Sequence, residues 1–379
     1  MSSAQCARPS ARPVHYTSTD RSGGLKRLGI SAVARVMRTS NHNSAVRDDL
    51  PKDLTFPPSS TRVLTKGAAH YGIMIPDLPE PHRFLAHMIV IGGTGFRAWD
   101  DNGAIPGRPR GVTQLGWGTA QSDPTRSFHV FGVDGTELAD DGSVLRFGQN
   151  HTLSVDYPSV HLRSTLDDLN VALDLHCTDD ISWVADSEIY RHYSLLCQYE
   201  GTIASKDSAA QQVSGTCTFE YGIGYAPFMD LPRMLPTPLK IPADFFTYHV
   251  LDLGPGEQIV ACALGAFGRH TALMGADIRQ VGTGVRRIGV EAEFTVTEFA
   301  SVPTSYDGRA EMVLPTAFTW RFTHDDGTTS YIDGTVDTHW LYAGMGYIAG
   351  YQWHGEIEGR TRTGQGYLEY SDRRAGALR

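Results

Sequence analysis

No stretch of the chain approaches the roughly 20 consecutive apolar residues of a membrane-spanning helix. Cysteine is scarce. The five residues Cys6, Cys177, Cys197, Cys217 and Cys262 are odd in number and have no close pairs, which excludes a disulfide scaffold. Positive charge is in deficit, with 33 Lys and Arg against 42 Asp and Glu, a poor balance for a nucleic-acid binder. No Gly-x-Ser-x-Gly elbow and no His-Glu-x-x-His pair occurs, so the local signatures of a serine hydrolase and of a zinc peptidase are missing. What is abundant is turn formers and aromatics: 40 Gly, 20 Pro, 16 Tyr, 15 Phe and 6 Trp in 379 residues. That mixture describes a turn-rich β protein, and the length suits two domains.

The charge is unevenly placed. Residues 1–47 hold eight basic residues and one acid, Asp20, while the remainder holds 25 basic and 41 acidic residues. The first 59 residues therefore read as a disordered basic leader and a Pro-rich linker, too poor in apolar surface to offset chain entropy. Within it, residues 24–38 alternate Leu25, Leu28, Ile30, Val33 and Val36 with Lys26, Arg27, Arg35 and Arg38, a pattern suited to peripheral membrane contact. The longest apolar stretch there, Gly29–Val36, is broken by Arg35 and lacks a cleavage site, so no secretory signal is read and a cytoplasmic protein is expected.

From Val63 onward the dominant period is two. Phe84–Ile91, Val160–Leu166, Asn170–Cys177, Tyr190–Gly201 and Gln212–Tyr221 read as strands separated by turn residues. Pro227, Pro232, Pro236, Pro238 and Pro242 then forbid a central strand, which marks 227–244 as a linker. Strands resume at Phe245–Leu253 and Gln258–Phe267, joined by Gly254-Pro255-Gly256, and run to Thr361–Tyr370. Ser214–Tyr221 and Thr363–Tyr370 share the pattern small-Gly-x-x-x-apolar-Glu-Tyr, 149 residues apart. That spacing points to two copies of one domain and not to a solenoid. The expected organisation is thus a first unit over 60–226, a second over 245–373 and a tail over 374–379.

These residues carry a resemblance. Gly215, Phe219, Glu220 and Gly224, followed by the segment Phe245–Leu264 and the closing segment Gly364–Arg373, resemble the tandem lipocalin-like superfamily of hydroxyneurosporene synthase, the carotenoid hydratases and the AttH-like proteins. Tyr71–Gly93 is similar to a bacterial branch of that group. The resemblance spans roughly residues 60–373. It implies an all-β fold of two consecutive antiparallel lipocalin-like β-barrels, each with an inner cavity. Hydratases of the group continue the first motif as acid-His-x-Trp-Gly. Here Glu220 and Gly224 remain but Tyr221 and Ile223 replace the His and Trp, which counts against carotenoid hydration.

The candidate chemistry follows from the remaining polar residues. Met88–Phe96 is Gly-rich, but a turn follows it and no helix, so a hairpin explains it better than a nucleotide loop. His82 and His87 lack ligand spacing, and no metal and no cofactor is expected. Glu220 is the foremost candidate: a carboxyl in an apolar lumen is pushed toward its neutral form and can protonate an alkene or enol. Tyr248 and His249 open the second unit, where the resemblance places them against the first motif, and could orient substrate or exchange the proton. His87, Tyr221 and Glu369 are candidate ligand contacts, Glu369 as the repeat partner of Glu220. The strand faces could also run the other way, leaving Glu220 and Glu369 in solvent or bonded to Arg.

Two functions fit. One is a cofactor-independent acid/base enzyme of the isomerase, cyclase or hydratase/lyase type, acting on a small hydrophobic metabolite such as a terpenoid, steroid or polyketide in a barrel cavity. The other is a non-catalytic carrier of lipid or another small hydrophobic ligand. The sequence leaves open whether the barrels are hollow, and what the oligomeric state is.

Overall fold

The computed structural model of the chain describes residues 13–18, 54–58 and 67–374, apart from 101, 106, 187–189 and 207. The amphipathic stretch 24–38 lies outside the described residues. Among those described, strand dominates and helix is confined to five short 3-10 turns. No helix among them is long and apolar enough to cross a membrane.

Apart from a small pair, Thr304–Tyr306 with Arg309–Met312, the strands form two eleven-stranded sheets, the first from residues 67–225 and the second from residues 243–372 with His15–Thr17 added, and the all-β tandem architecture holds. Each sheet is an up-and-down meander closed by pairing its first long strand with its last. In the first, Gly67–Ile75 pairs with Gln211–Tyr225. In the second, Ala243–Gly254 pairs with Arg360–Asp372. Neighbours elsewhere follow chain order, as short Gly- and Asp-rich turns require. Each barrel keeps one seam. The first lies between Phe128–Gly132 and Thr136–Leu138, and the second between Gly284–Arg287 and Glu291–Phe299.

Two pieces of the amino-terminal region depart from the disorder expected of it. His15–Thr17 is a strand paired to Glu291–Phe299 at the second seam. Its Tyr16 stacks on Phe245 with ring centroids 4.5 Å apart. Gly265 makes room for that ring, since a Cβ there would stand 2.5 Å from it. Leu54–Pro58 lies against the first barrel: Phe56 is 1% exposed, and its ring lies 5.3 Å from that of Phe219 and 5.4 Å from that of Tyr221. Its carbonyl accepts from the Tyr71 hydroxyl at 2.5 Å, and the Pro57 carbonyl accepts from that of Tyr221 at 2.8 Å. The composition argument misses these segments because they need no core of their own. They bury their few apolar residues in barrels built by the rest of the chain.

The barrel interiors are filled with side chains. The first packs Ile73, Ile89, Trp117, Leu195, Phe219 and Tyr221 among others. The second packs Phe245, Phe294, Phe318, Trp320, Tyr351 and Trp353. Aromatic and branched side chains point into each lumen. A third apolar cluster joins the outer faces of both sheets, with Met74, Phe84, Met88 and Val90 from one against Phe246, Tyr248, Val250, Cys262 and Tyr367 from the other. Strands at this junction are buried on both faces, which is why Leu85–Ile91 reads as an apolar run interrupted only by His87. Cys177, Cys197 and Cys217 sit directly opposite one another on adjacent strands as buried free thiols, so their 20-residue spacing is one hairpin per rung.

Two outcomes test this packing. Replacing Phe56→Ala leaves a hole among four aromatic rings and is expected to cost about 3–5 kcal/mol, read as a lowered urea midpoint. His151 and His249 are buried in the barrels, and burial drops both to about 3 from the ordinary 6.5. Their folded pKa is depressed, so the unfolded chain takes up more protons below pH 6.5 and stability falls as pH drops from there toward 3. In His249→Asn the slope of unfolding free energy against pH between 4 and 6 should be shallower by about one proton, ~1.4 kcal/mol per pH unit. An unchanged slope would count against a neutral buried imidazole.

Candidate active site

Strand parity decides where each candidate points. Along Gln211–Tyr225, Cys217, Phe219 and Tyr221 face the first barrel's core, so Thr218, Glu220 and Gly222 face outward. That outer face is covered by the second barrel, and Glu220 is 2% exposed. Glu220 thus faces neither a lumen nor solvent, the two options left by sequence. It lies between the barrels.

The second barrel divides in the same way. Tyr248 points into the junction, and His249, its neighbour in sequence, points into the second barrel. The Tyr248 hydroxyl donates to Glu220 Oε1 in a short hydrogen bond. His249 instead bonds Thr247 Oγ1 at 2.9 Å and the Tyr351 hydroxyl at 3.3 Å, with its ring edge-on to Phe318 and Trp320. It has no part in the Glu220 cluster. Glu369 is the cross-strand partner of Tyr248 and shares its face. Its Oε1 accepts from the Tyr367 hydroxyl at 3.0 Å. The other two candidate ligand contacts lie in the first barrel. His87 stacks on His151 with Nε2 atoms 3.0 Å apart, and Tyr221 holds the Pro57 carbonyl.

Sequence reading does not single out His70, His192 and Tyr190, and these complete the cluster. Gly222 is paired with His70 on one side and His192 on the other. Having no side chain, it leaves the two imidazoles facing each other across it, ring centroids 5.2 Å apart. A Cβ on Gly222 would lie in contact with the His192 ring at 3.4 Å. Both imidazoles reach Glu220, one rung along: His192 Nε2 is 3.3 Å and His70 Nε2 4.0 Å from Oε2. Tyr190 bonds the far side of His192, hydroxyl to Nδ1, at 3.1 Å. The only sequence signal for this group was a shared strand face, and that needs the pairing register. Beneath it lies Arg279, fully buried, donating to the Ser194 carbonyl and hydroxyl at 3.1 and 2.7 Å and to Thr218 Oγ1 at 2.8 Å.

The two carboxyls are driven in opposite directions. Burial raises the Glu220 pKa, but the hydrogen bond and charge of His192, then His70 and Tyr248, outweigh it and hold the group below its ordinary value. The expected neutral Glu220 is thereby corrected: it is the ionised member. Glu369 is pushed well above its ordinary value by burial and by the charge of Glu220, which favours its protonated form. Burial, with the charge of His192, also drops His70 to about 4.

Two small clefts open beside this cluster, both between the sheets. One is lined by Met88, Phe246, Met345, Gly346 and Glu369 among others. The second runs past Val184, Cys262, Asp277 and Arg287. As they stand, each has room for about one or two water molecules. One donor set can hold a metal: His70, His192 and Glu220 bring three ligand atoms within 4.8 Å of one another.

Residues 88–378 match the model of a family described as a family of unknown function, DUF6670. None of the curated proteins matches the chain. Among solved structures, one provisionally assigned as AttH from Nitrosomonas europaea is similar at TM-score 0.52 and 13% identity, covering 87% of this chain and 97% of that one. Kievitone hydratase from Nectria haematococca is similar at TM-score 0.51 and 11% identity, covering 86% and 99%. These likenesses agree with the tandem lipocalin-like fold and, at such identities, speak for the fold alone.

The protonated Glu369 has a measurable consequence. Its folded pKa is raised above the unfolded one, so it lowers stability increasingly as pH climbs above about 4.5. Glu369→Gln keeps an acceptor for Tyr367 and cannot ionise. Its melting temperature is expected to match the parent near pH 4 and to exceed it by pH 8. A gap that stays constant with pH would contradict a neutral Glu369.

Proposed function

We propose that this chain, which belongs to the DUF6670 family, is an acid/base enzyme acting on a small hydrophobic molecule at the junction of its two barrels. One observation carries the reading. Two buried carboxyls share that junction, one with its pKa held down by imidazoles and a phenol and the other with its pKa pushed up by burial and by the first carboxylate. Environments that push a pair of carboxyls apart in this way assign an acid and a base. Glu369 is the acid, placed to protonate an alkene or enol carbon. Glu220, backed by His192 and Tyr248, is the base that takes a proton from water or from a neighbouring carbon. Taking it from water gives hydration; taking it from carbon gives isomerisation. In either case one proton leaves Glu369 and one arrives on Glu220, and the site resets when that proton returns. Arg279, below the cluster, offsets the buried negative charge.

The apolar lining of the cleft beside Glu369 suits a hydrocarbon skeleton of terpenoid, steroid or polyketide kind. Met88 and Met345 line it, and rotation of these flexible side chains widens it. The likeness to an enzyme named for hydrating kievitone lends the reading support by analogy only.

The test is turnover of apolar alkenes and enones in deuterium oxide, followed by mass spectrometry. Carbon-bound deuterium in the product is expected. Glu220→Gln and Glu369→Gln should each slow its appearance about 10²–10⁴-fold, while His249→Asn should leave it close to the parent rate. Equal rates in both carboxyl variants and the parent would remove these residues from the mechanism.

A further inference from the structure

We propose that His70, His192 and Glu220 also form a binding site for one divalent transition-metal ion of the zinc class. The donor set is two imidazoles and one carboxylate, the N/N/O mixture that suits zinc and its neighbours and not the all-oxygen preference of calcium or magnesium. A tetrahedral zinc with bonds near 2.0–2.2 Å places its ligand atoms about 3.4 Å apart. His192 Nε2 and Glu220 Oε2 already stand 3.3 Å apart, and His70 Nε2 lies 4.0 Å from the same oxygen. A small swing of the His70 ring closes the set.

The surrounding groups resemble those of a metal site. Ligating histidines are fixed through their second nitrogen, and ligating carboxylates are themselves hydrogen-bonded. Tyr190 meets the Nδ1 of His192, which leaves Nε2 aimed at the cluster. Tyr248 holds Glu220 through Oε1 and leaves Oε2 to the imidazoles. Gly222 supplies the gap in which the two rings face each other. There is also a way in. The His70 side chain is 19% exposed, against 7% for His192 and 2% for Glu220, so the ion enters past the outermost ligand. The buried pair His87 and His151 brings together only two imidazoles, inside a filled barrel.

The inference goes beyond the catalytic reading. An ion on Glu220 Oε2 occupies the electron pair that the proposed base uses, so metal binding and proton transfer exclude each other. Metal binding is measured without substrate, so its failure leaves the acid/base reading to be judged by the turnover of Glu369→Gln.

The experiment is titration of chelator-stripped full-length protein with cobalt(II) chloride, followed by visible absorption, then displacement with zinc chloride. One equivalent per chain is expected, with ligand-field bands that zinc abolishes. His70→Ala and His192→Ala should each weaken cobalt binding at least about 100-fold, and Tyr190→Phe about 10–100-fold. Gly222→Val keeps all three donors but fills the gap between the rings, and should also weaken binding. His354→Ala, at a surface imidazole, should not. Far-UV circular dichroism checks that each variant is folded. Absence of ligand-field bands at millimolar cobalt, or undiminished affinity in folded His70→Ala/His192→Ala protein, overturns the proposal.

Discussion

A carboxylate out of contact with water has to be paired, and the pairing of Glu220 organises the centre of this molecule. Its partners come from the two strands that flank its own in the first barrel and from one strand of the second. The two barrels are therefore joined by more than apolar contact. Separating them would strip Tyr248 from Glu220, uncover Arg279 and break its bonds to Ser194 and Thr218, leaving charges that the junction now satisfies. Polar groups of this kind fix how the two barrels are placed, where methionines and valines alone would tolerate sliding.

Filling of the barrels and placement of the polar cluster are linked. Each lumen is lined by rings and branched side chains. The outer faces of the strands that close each barrel are covered by the other barrel, which creates a second interior between them. This interior differs from the lumens in composition. It mixes Met88, Val90 and Cys262 with Glu220, Arg279, Gln258 and Glu369, whereas the lumens hold aromatic and branched residues with a few histidines. The duplicated Glu of the internal repeat makes the same point. Both copies lie on the outward face, and because the barrels pack back to back, both reach the same region. Their pKa values then move in opposite directions, because Glu220 has two imidazoles beside it while Glu369 has only burial and the charge of Glu220 acting against its ionised form.

The fold was largely legible in the sequence. Period-two alternation, the Pro-rich break after Tyr225 and the repeated Gly-to-Glu-Tyr pattern lead to two all-β halves, and Glu220, Tyr248 and Glu369 do share one junction. What sequence could not give was facing. Alternation shows that Glu220 opposes Phe219, but whether the polar side meets solvent, lumen or another barrel depends on tertiary packing. The same gap separates Tyr248 from His249, whose adjacency in sequence guarantees opposite faces of one strand. His70 and His192 escaped notice because they come together only through register, each opposite a glycine that carries no signal of its own. The ordered amino-terminal pieces were hidden for a related reason: Tyr16 and Phe56 are isolated apolar residues whose partners lie far along the chain.

The strand His15–Thr17 pairs with residues 293–295, and His15 and Thr295 are 280 positions apart in the chain. A contact between segments so remote carries a large loop-closure cost and forms late in folding. The first barrel closes when Gly67–Ile75 meets Gln211–Tyr225, within one half of the chain. The second is sealed by a segment that lies before the first, so completing it ties the two halves together by backbone pairing as well as by the junction.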